Sequence, residues 1–126
     1  MATKNLRNVA ILGHGGDGKT TLTEALLFNA KVIDRLGRAD AGTTASDFEP
    51  EEKKRKISIS AAIAPIEHKG CKINFIDVPG YFDFVGEMLA ACSVADGAVI
   101  VLSSVSGVNV GTEKAWDECR KNNMAT

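Results

Sequence analysis

Residues 13–21 read GHGGDGKTT, which places four glycines and one lysine within nine residues. Glycine weakens both helices and strands, so packing gives no reason for such a cluster. Its neighbours define its place. Upstream, NVAILG (8–13) is a short apolar run of the kind found in strands buried on both faces. Downstream, TTLTEALLFNA (20–30) puts Leu22, Ala25, Leu26 and Ala30 near one face at helical spacing. The cluster therefore joins a strand to a helix, at a point where something requires a bare backbone.

The spacing of GHGGDGKT is G-x-x-x-x-G-K-[ST], with Gly13, Gly18, Lys19 and Thr20 in the defining positions. Such a loop curls around a phosphate with its backbone N–H groups pointing inward, and side chains at the glycine positions would block the approach. Residues Gly13, His14, Gly15, Gly16, Asp17, Gly18, Lys19, Thr20 and Thr21 are the candidate cradle. Lys19 supplies a charge to the outer phosphates, and the Thr20 hydroxyl is a magnesium ligand. A second anchor for the metal is expected at the end of a neighbouring strand, where INFIDVPG (73–80) offers Asp77. Gly80 follows three residues later, positioned to meet a terminal phosphate with its N–H.

The rest of the chain reads as alternating strands and helices. ISISAAIAP (57–65) alternates with Ile57, Ile59, Ala61 and Ile63 on its apolar side, and Pro65 assigns it to a sheet edge. The link HKG (68–70) leads to CKINFIDVPG, so the two strands are expected to form an antiparallel hairpin. A helix follows in FDFVGEMLAACSVAD, with Phe84, Val85, Met88, Leu89 and Cys92 as its apolar stripe. GAVIVLSS (97–104) is a further strand. VGTEKAWDECRKNN (110–123) is a further helix with Thr112 as its N-cap. This order implies an α/β fold, a three-layer sandwich of the P-loop NTPase kind, with a mostly parallel sheet and one antiparallel edge strand. Residues 34–56 form a polar stretch longer than the roughly 12–15 residues of an ordinary loop. Its closing run EEKKRK reads either as a solvated charge run or as a contact for phosphate or RNA.

Composition bounds the possibilities. The 126 residues are 44% hydrophobic and 25% charged, the scale of one domain with one core. Fifteen basic against sixteen acidic residues give a net charge of −1, which argues against a general polyanion-binding module and against DNA as the partner. Cys71, Cys92 and Cys119 have neither disulfide-framework nor zinc spacing. His14 lacks a second histidine or cysteine nearby and reads as no metal ligand, His68 as a solvated turn residue, and Trp116 as core or interface. No apolar run approaches the ~20 residues that span a bilayer, so the expectation is a cytoplasmic protein without membrane contact.

GHGGDGKTTL, KRKISIS, DVPGYFDFVGEM and GVNVGTEKAW, in this order, resemble the start of a translational GTPase of the elongation factor G family, nearest to its elongation-factor-G-like members. The resemblance implies GTP and GDP as ligands, magnesium held by Thr20, Ser58 and Asp77, and hydrolysis of GTP on the ribosome. It makes the loop ending at Ser58 the first switch and Asp77–Gly80 the start of the second. Ribosomal protection and release-factor GTPases share these motifs, and a P-loop ATPase or kinase is the reading from another class. Two departures stand out. RKISI replaces the usual RGITI, so Ser58 stands for a threonine. Tyr81 stands where the family's water-orienting histidine is usual, and a phenol cannot offer an imidazolium at neutral pH. Lys19, Gly80 and Tyr81 are thus the candidate catalytic groups, with slow or differently triggered hydrolysis, or a non-hydrolysing switch, as the implied outcome. The guanine-selecting Asn-Lys-x-Asp run does not occur within these residues, so 1–126 read as a single partial GTP-binding domain, truncated before its later strands. An apolar edge left along 97–104 is then expected to pair with a second copy.

Overall fold

A computed structural model describes residues 3–37, 61–80 and 85–126. After a short 3-10 turn at Thr3–Asn5, the order is β1 (Leu6–Gly13), α1 (Lys19–Asn29), β2 (Ala62–His68), β3 (Cys71–Asp77), α2 (Val85–Val94), β4 (Gly97–Val101) and α3 (Val110–Lys121). The four strands form one sheet in the order β2-β3-β1-β4. β1 runs parallel to both β3 and β4, and β2 pairs antiparallel with β3 through a turn at Lys69 and Gly70, both at positive φ. Pro65 lies on the edge strand, as its missing N–H requires.

Helices cover both faces. On one, Leu27 of α1 packs with Ala64 and Ile66 of β2, with Ile73 and Phe75 of β3 beside them. On the other, Ala10 and Leu12 of β1, Ile76, Val78 and Ala98 meet Ala91 and Cys92 of α2 and Ala115 and Cys119 of α3. The parallel register aligns Ile11 with Asp77 and Gly13 with Val101, so the carboxyl ends of β1, β3 and β4 share one edge of the sheet. In such sheets that edge is where ligands bind.

The architecture is the α/β sandwich read from the sequence, but several apolar faces differ from expectation. In β2 the buried side is Ala62, Ala64 and Ile66, whereas Ile63 is 70% exposed. The reason is the reach of the helices: α1 lies over the alanine side, and on the opposite side the helical layer buries only as far as Ala61. In α1 the buried residues are Lys19, Thr23, Glu24 and Leu27, and the expected stripe of Leu22, Ala25, Leu26 and Ala30 is only half-buried. The helix is rotated so that its polar side meets the sheet beneath the glycine cluster. In α2 the inward residues are Met88, Ala91 and Cys92, and Leu89 is half-exposed. Phe84, Ile57 and Ile59 lie outside the described residues.

The N-cap of α3 is Asn109 rather than Thr112. Thr112 instead sits at the third helical position and closes a capping box, its hydroxyl accepting from the Asn109 N–H at 3.4 Å and donating to the Asn109 side chain at 3.2 Å. β4 is shorter than the expected strand, ending at Val101 before a turn closed by the Gly107 N–H on the Ser103 carbonyl at 2.8 Å. Its outer edge is also partly paired: the Ala125 carbonyl accepts the Ala98 N–H at 2.9 Å. The expected pairing of copies along this edge finds no support. Asp96 fixes the start of β4 against β1, its carboxylate accepting the Asn8 N–H at 2.7 Å while its own N–H donates to the Asn8 carbonyl at 2.8 Å.

The corrected face of β2 is testable. Ile66→Ala is expected to destabilise the chain by about 2–4 kcal/mol through the cavity it leaves, and Ile63→Ser by no more than about 0.5 kcal/mol. Urea unfolding midpoints of the two variants check this, and equal losses would contradict the assignment.

Candidate functional site

The glycine cluster occupies the sheet edge where the three parallel strands end. Each glycine that the loop spacing requires has a structural reason. A Cβ on Gly13 would lie 2.5 Å from the Val101 carbonyl oxygen, and its φ of 140° is one that side chains rarely allow. Gly18, at φ 93°, is the N-cap of α1 and carries no side chain that could cap the helix itself. The first turn, Lys19 to Thr21, therefore forms the positive end of the helix, where an anion is favoured. Thr21 has an exposed side chain, so only its backbone faces this role.

Lys19 lies across the loop, its Nζ donating to the His14 carbonyl at 2.7 Å. It is buried, and burial holds its ammonium below the usual lysine range, against the opposing pull of Asp77 and Asp17. Asp77, at the end of β3, is buried as well and accepts the Thr20 hydroxyl at 2.7 Å. Two oxygen-bearing side chains 57 residues apart thus meet beside a confined lysine. That donor set suits a hard divalent cation.

Gly80 lies directly against this loop. A Cβ there would collide with the Lys19 ammonium and fall 2.6 Å from both the Gly15 nitrogen and the His14 carbonyl carbon. The backbone after Asp77 is thereby laid against the glycine-rich loop. Ser58 and Tyr81 lie outside the described residues, as does the EEKKRK run.

Sequence reasoning missed the other wall. Gly111, in the first turn of α3, faces His14 so closely that a Cβ would lie 2.6 Å from its Nδ1 and 2.8 Å from its Cα. A glycine in a first helical turn, against helix propensity, was the available signal. Asp17 turns its Oδ1 to the Ser106 hydroxyl at 3.4 Å, across 89 residues. Glu24, one helical turn beyond Thr20 and fully buried, accepts the Gly37 N–H at 3.1 Å and so holds the root of the long polar stretch.

Against known proteins, residues 4–126 match the family described as the elongation factor Tu GTP binding domain. The chain belongs to this family. It is 44% identical over 119 residues to an elongation factor G-like protein of Mycobacterium tuberculosis, an alignment covering 94% of the chain and 17% of that protein. It is 41% identical over 116 residues to the mitochondrial ribosome-releasing factor 2 of Yarrowia lipolytica, covering 92% and 14% respectively. A Thermus thermophilus protein of known structure superposes with a TM-score of 0.88 at 44% identity, over 91% of this chain and 17% of its own. The chain therefore spans about a sixth of the length of such relatives, and family membership fixes the G-domain fold around the loop described above.

Lys19→Met separates binding from stability. Loss of the charge is expected to abolish binding of nucleotide phosphates, measured by calorimetry, while the unfolding midpoint of the ligand-free chain stays level or rises because a buried charge is gone. The pH dependence has a definite sign. Between the lowered value of Lys19 and 10.5 the unfolded chain holds more protons, so stability rises with pH across that window, and the rise is lost in Lys19→Met.

Proposed function

We propose that these residues bind the phosphates of GTP and GDP, and that they do so within a translational GTPase that acts on the ribosome, hydrolysing GTP to GDP and phosphate. The observation that carries the reading is the Thr20 hydroxyl held 2.7 Å from Asp77 beside the loop-bound ammonium of Lys19. The relatives support it through their names, elongation factor G-like protein and ribosome-releasing factor 2.

In this reading the backbone of Gly13–Gly18 and the first turn of α1 surround the β-phosphate, and Lys19 exchanges the His14 carbonyl for phosphate oxygens. Thr20, Asp77 and Ser58 would hold magnesium, with Ser58 supplying the hydroxyl of the first switch. Bound magnesium neutralises charge on the outer phosphates. Gly80 presents its N–H to the terminal phosphate, and the loss of that phosphate on hydrolysis releases the segment that begins there. Tyr81 cannot offer an imidazolium to the attacking water, which makes hydrolysis slow or differently triggered. The setting is the cytoplasm. Among the described residues no helix is long and apolar enough to cross a membrane.

A non-hydrolysing switch is the second reading, favoured by Tyr81 alone. Two measurements test the proposal. Titration with GDP and ADP is expected to show magnesium-dependent preference for GDP in the protein that contains this chain, with Thr20→Ala losing the magnesium dependence; preference for ADP overturns the GTPase reading. Phosphate release from GTP is expected to rise when ribosomes are added, and single-turnover hydrolysis that ribosomes leave unchanged would favour the switch.

A further inference from the structure

Asp17 is an odd residue for an anion site, because it puts a carboxylate into the loop that is to receive phosphates. Its side chain is only 9% exposed. One oxygen receives the Ser106 hydroxyl at a long 3.4 Å, and the other, Oδ2, is buried and has no hydrogen-bond donor among the described residues. Part of what balances its charge is the ammonium of Lys19, the group the phosphates must recruit.

Ser106 is not a casual neighbour. It sits in the turn closed by Gly107 on Ser103, where the Ser103 hydroxyl accepts the N–H groups of Val105 at 3.2 Å and Ser106 at 3.5 Å. Gly107 takes a φ of 65° to complete the turn. Two residues after Gly107, Asn109 begins the cap of α3 that Thr112 completes, and Gly111 of that helix rests on His14. The connection from β4 to α3 thus reaches the phosphate loop twice, by backbone at His14 and by hydroxyl at Asp17.

We infer that Asp17 sets the affinity of the loop by opposing it: its carboxylate competes with bound phosphate for Lys19 and repels the phosphate charge, and Ser106 moderates that opposition through the hydroxyl it donates. The inference rests on the phosphate reading of the loop and adds a weakening element to it. Fast release of nucleotide follows directly, since a buried negative charge costs most when phosphate has drawn its counter-charge away. The β4–α3 turn becomes a handle on affinity, because anything that moves Ser106 changes how far the Asp17 charge is quenched.

The experiment measures binding of GMP, GDP and GTP to the protein that contains this chain, wild type and with Asp17→Asn, Ser106→Ala or both, at fixed magnesium and two salt concentrations. Asp17→Asn, nearly isosteric, is expected to bind GDP about tenfold tighter. The gain should be smaller for GMP and larger for GTP, and it should shrink in high salt. A change of loop shape alone has no reason to follow phosphate count. Ser106→Ala is expected to weaken GDP binding about threefold in the wild type and to change nothing once Asp17 is Asn. Unchanged or weaker GDP binding in Asp17→Asn, or an equal gain for all three nucleotides, overturns the inference. Lys19→Met separates the two levels: if it abolishes binding while Asp17→Asn brings no gain, only the role of Asp17 falls. If wild type and Lys19→Met bind alike, or neither binds, the phosphate reading falls and this inference with it.

Discussion

Everything at the site depends on β1 being paired in parallel on both of its edges. Parallel neighbours bring carboxyl ends to the same side of a sheet, and the register of Ile11 on Asp77 and Gly13 on Val101 sets them within two residues of one another. Gly13, the last residue of β1, thus lies beside the Val101 carbonyl of β4, while Asp77 ends β3 beside Ile11, two residues earlier. A side chain at Gly13 would strike that carbonyl, so the strand must end in glycine, and the chain leaves the sheet into a loop whose width is already fixed. Helix α1 then starts beneath the loop, which brings Lys19 and Thr20 within reach of His14 and Asp77.

The same arrangement explains why the layer under α1 is unusually polar. Lys19, Thr23, Glu24 and Asp77 are all buried there or at its rim, each with a partner: the His14 carbonyl, the Lys19 carbonyl, the Gly37 N–H and the Thr20 hydroxyl. Buried polar groups that find partners approach neutrality in stability, whereas an apolar replacement of similar size can be stabilising. The apolar core that holds the domain together is concentrated on the opposite face, in the cluster of Ala10, Leu12, Ile76, Val78 and the inward residues of α2 and α3. Cys92 belongs to it, its thiol pushed up to about 11 by burial and by Cys119 and Glu118 nearby, and so it remains a packing residue.

The glycine-rich turn from strand to helix, the sheet class and the strand–helix order were legible in the sequence because their signals are local. Glycines at fixed spacing, an apolar run and an aspartate at a strand end need no knowledge of the far side of the molecule. The faces were less legible. Ile63 looks like core and Ala64 like filler until the position of α1 over the hairpin is known, and no periodicity within one strand says which side a helix will cover. The stripe of α1 departs from its periodicity for a related reason: Thr23 and Glu24 are polar yet buried, since the partners that satisfy them lie elsewhere in the chain or one turn back. Contacts such as Ser106 on Asp17 and Gly111 on His14 join segments about 90 residues apart, a pairing that no single stretch of sequence encodes.

The way α3 ends has one more consequence. Asn123 adopts a φ of 49°, its N–H returning to the Arg120 carbonyl while the Met124 N–H reaches the Cys119 carbonyl at 2.9 Å, so the chain reverses sharply and delivers Ala125 to the start of β4. Because each helical residue turns the chain by about 100°, this delivery is a matter of angular phase. With its N-terminus pinned by Gly111 on His14, α3 behaves as a spindle of fixed winding. Removing one residue would swing the reversal a quarter turn or more away from the sheet, whereas residues added to the exposed tip at Val105 would leave the angle untouched. The helix length is therefore set by the site at one end and by the sheet at the other.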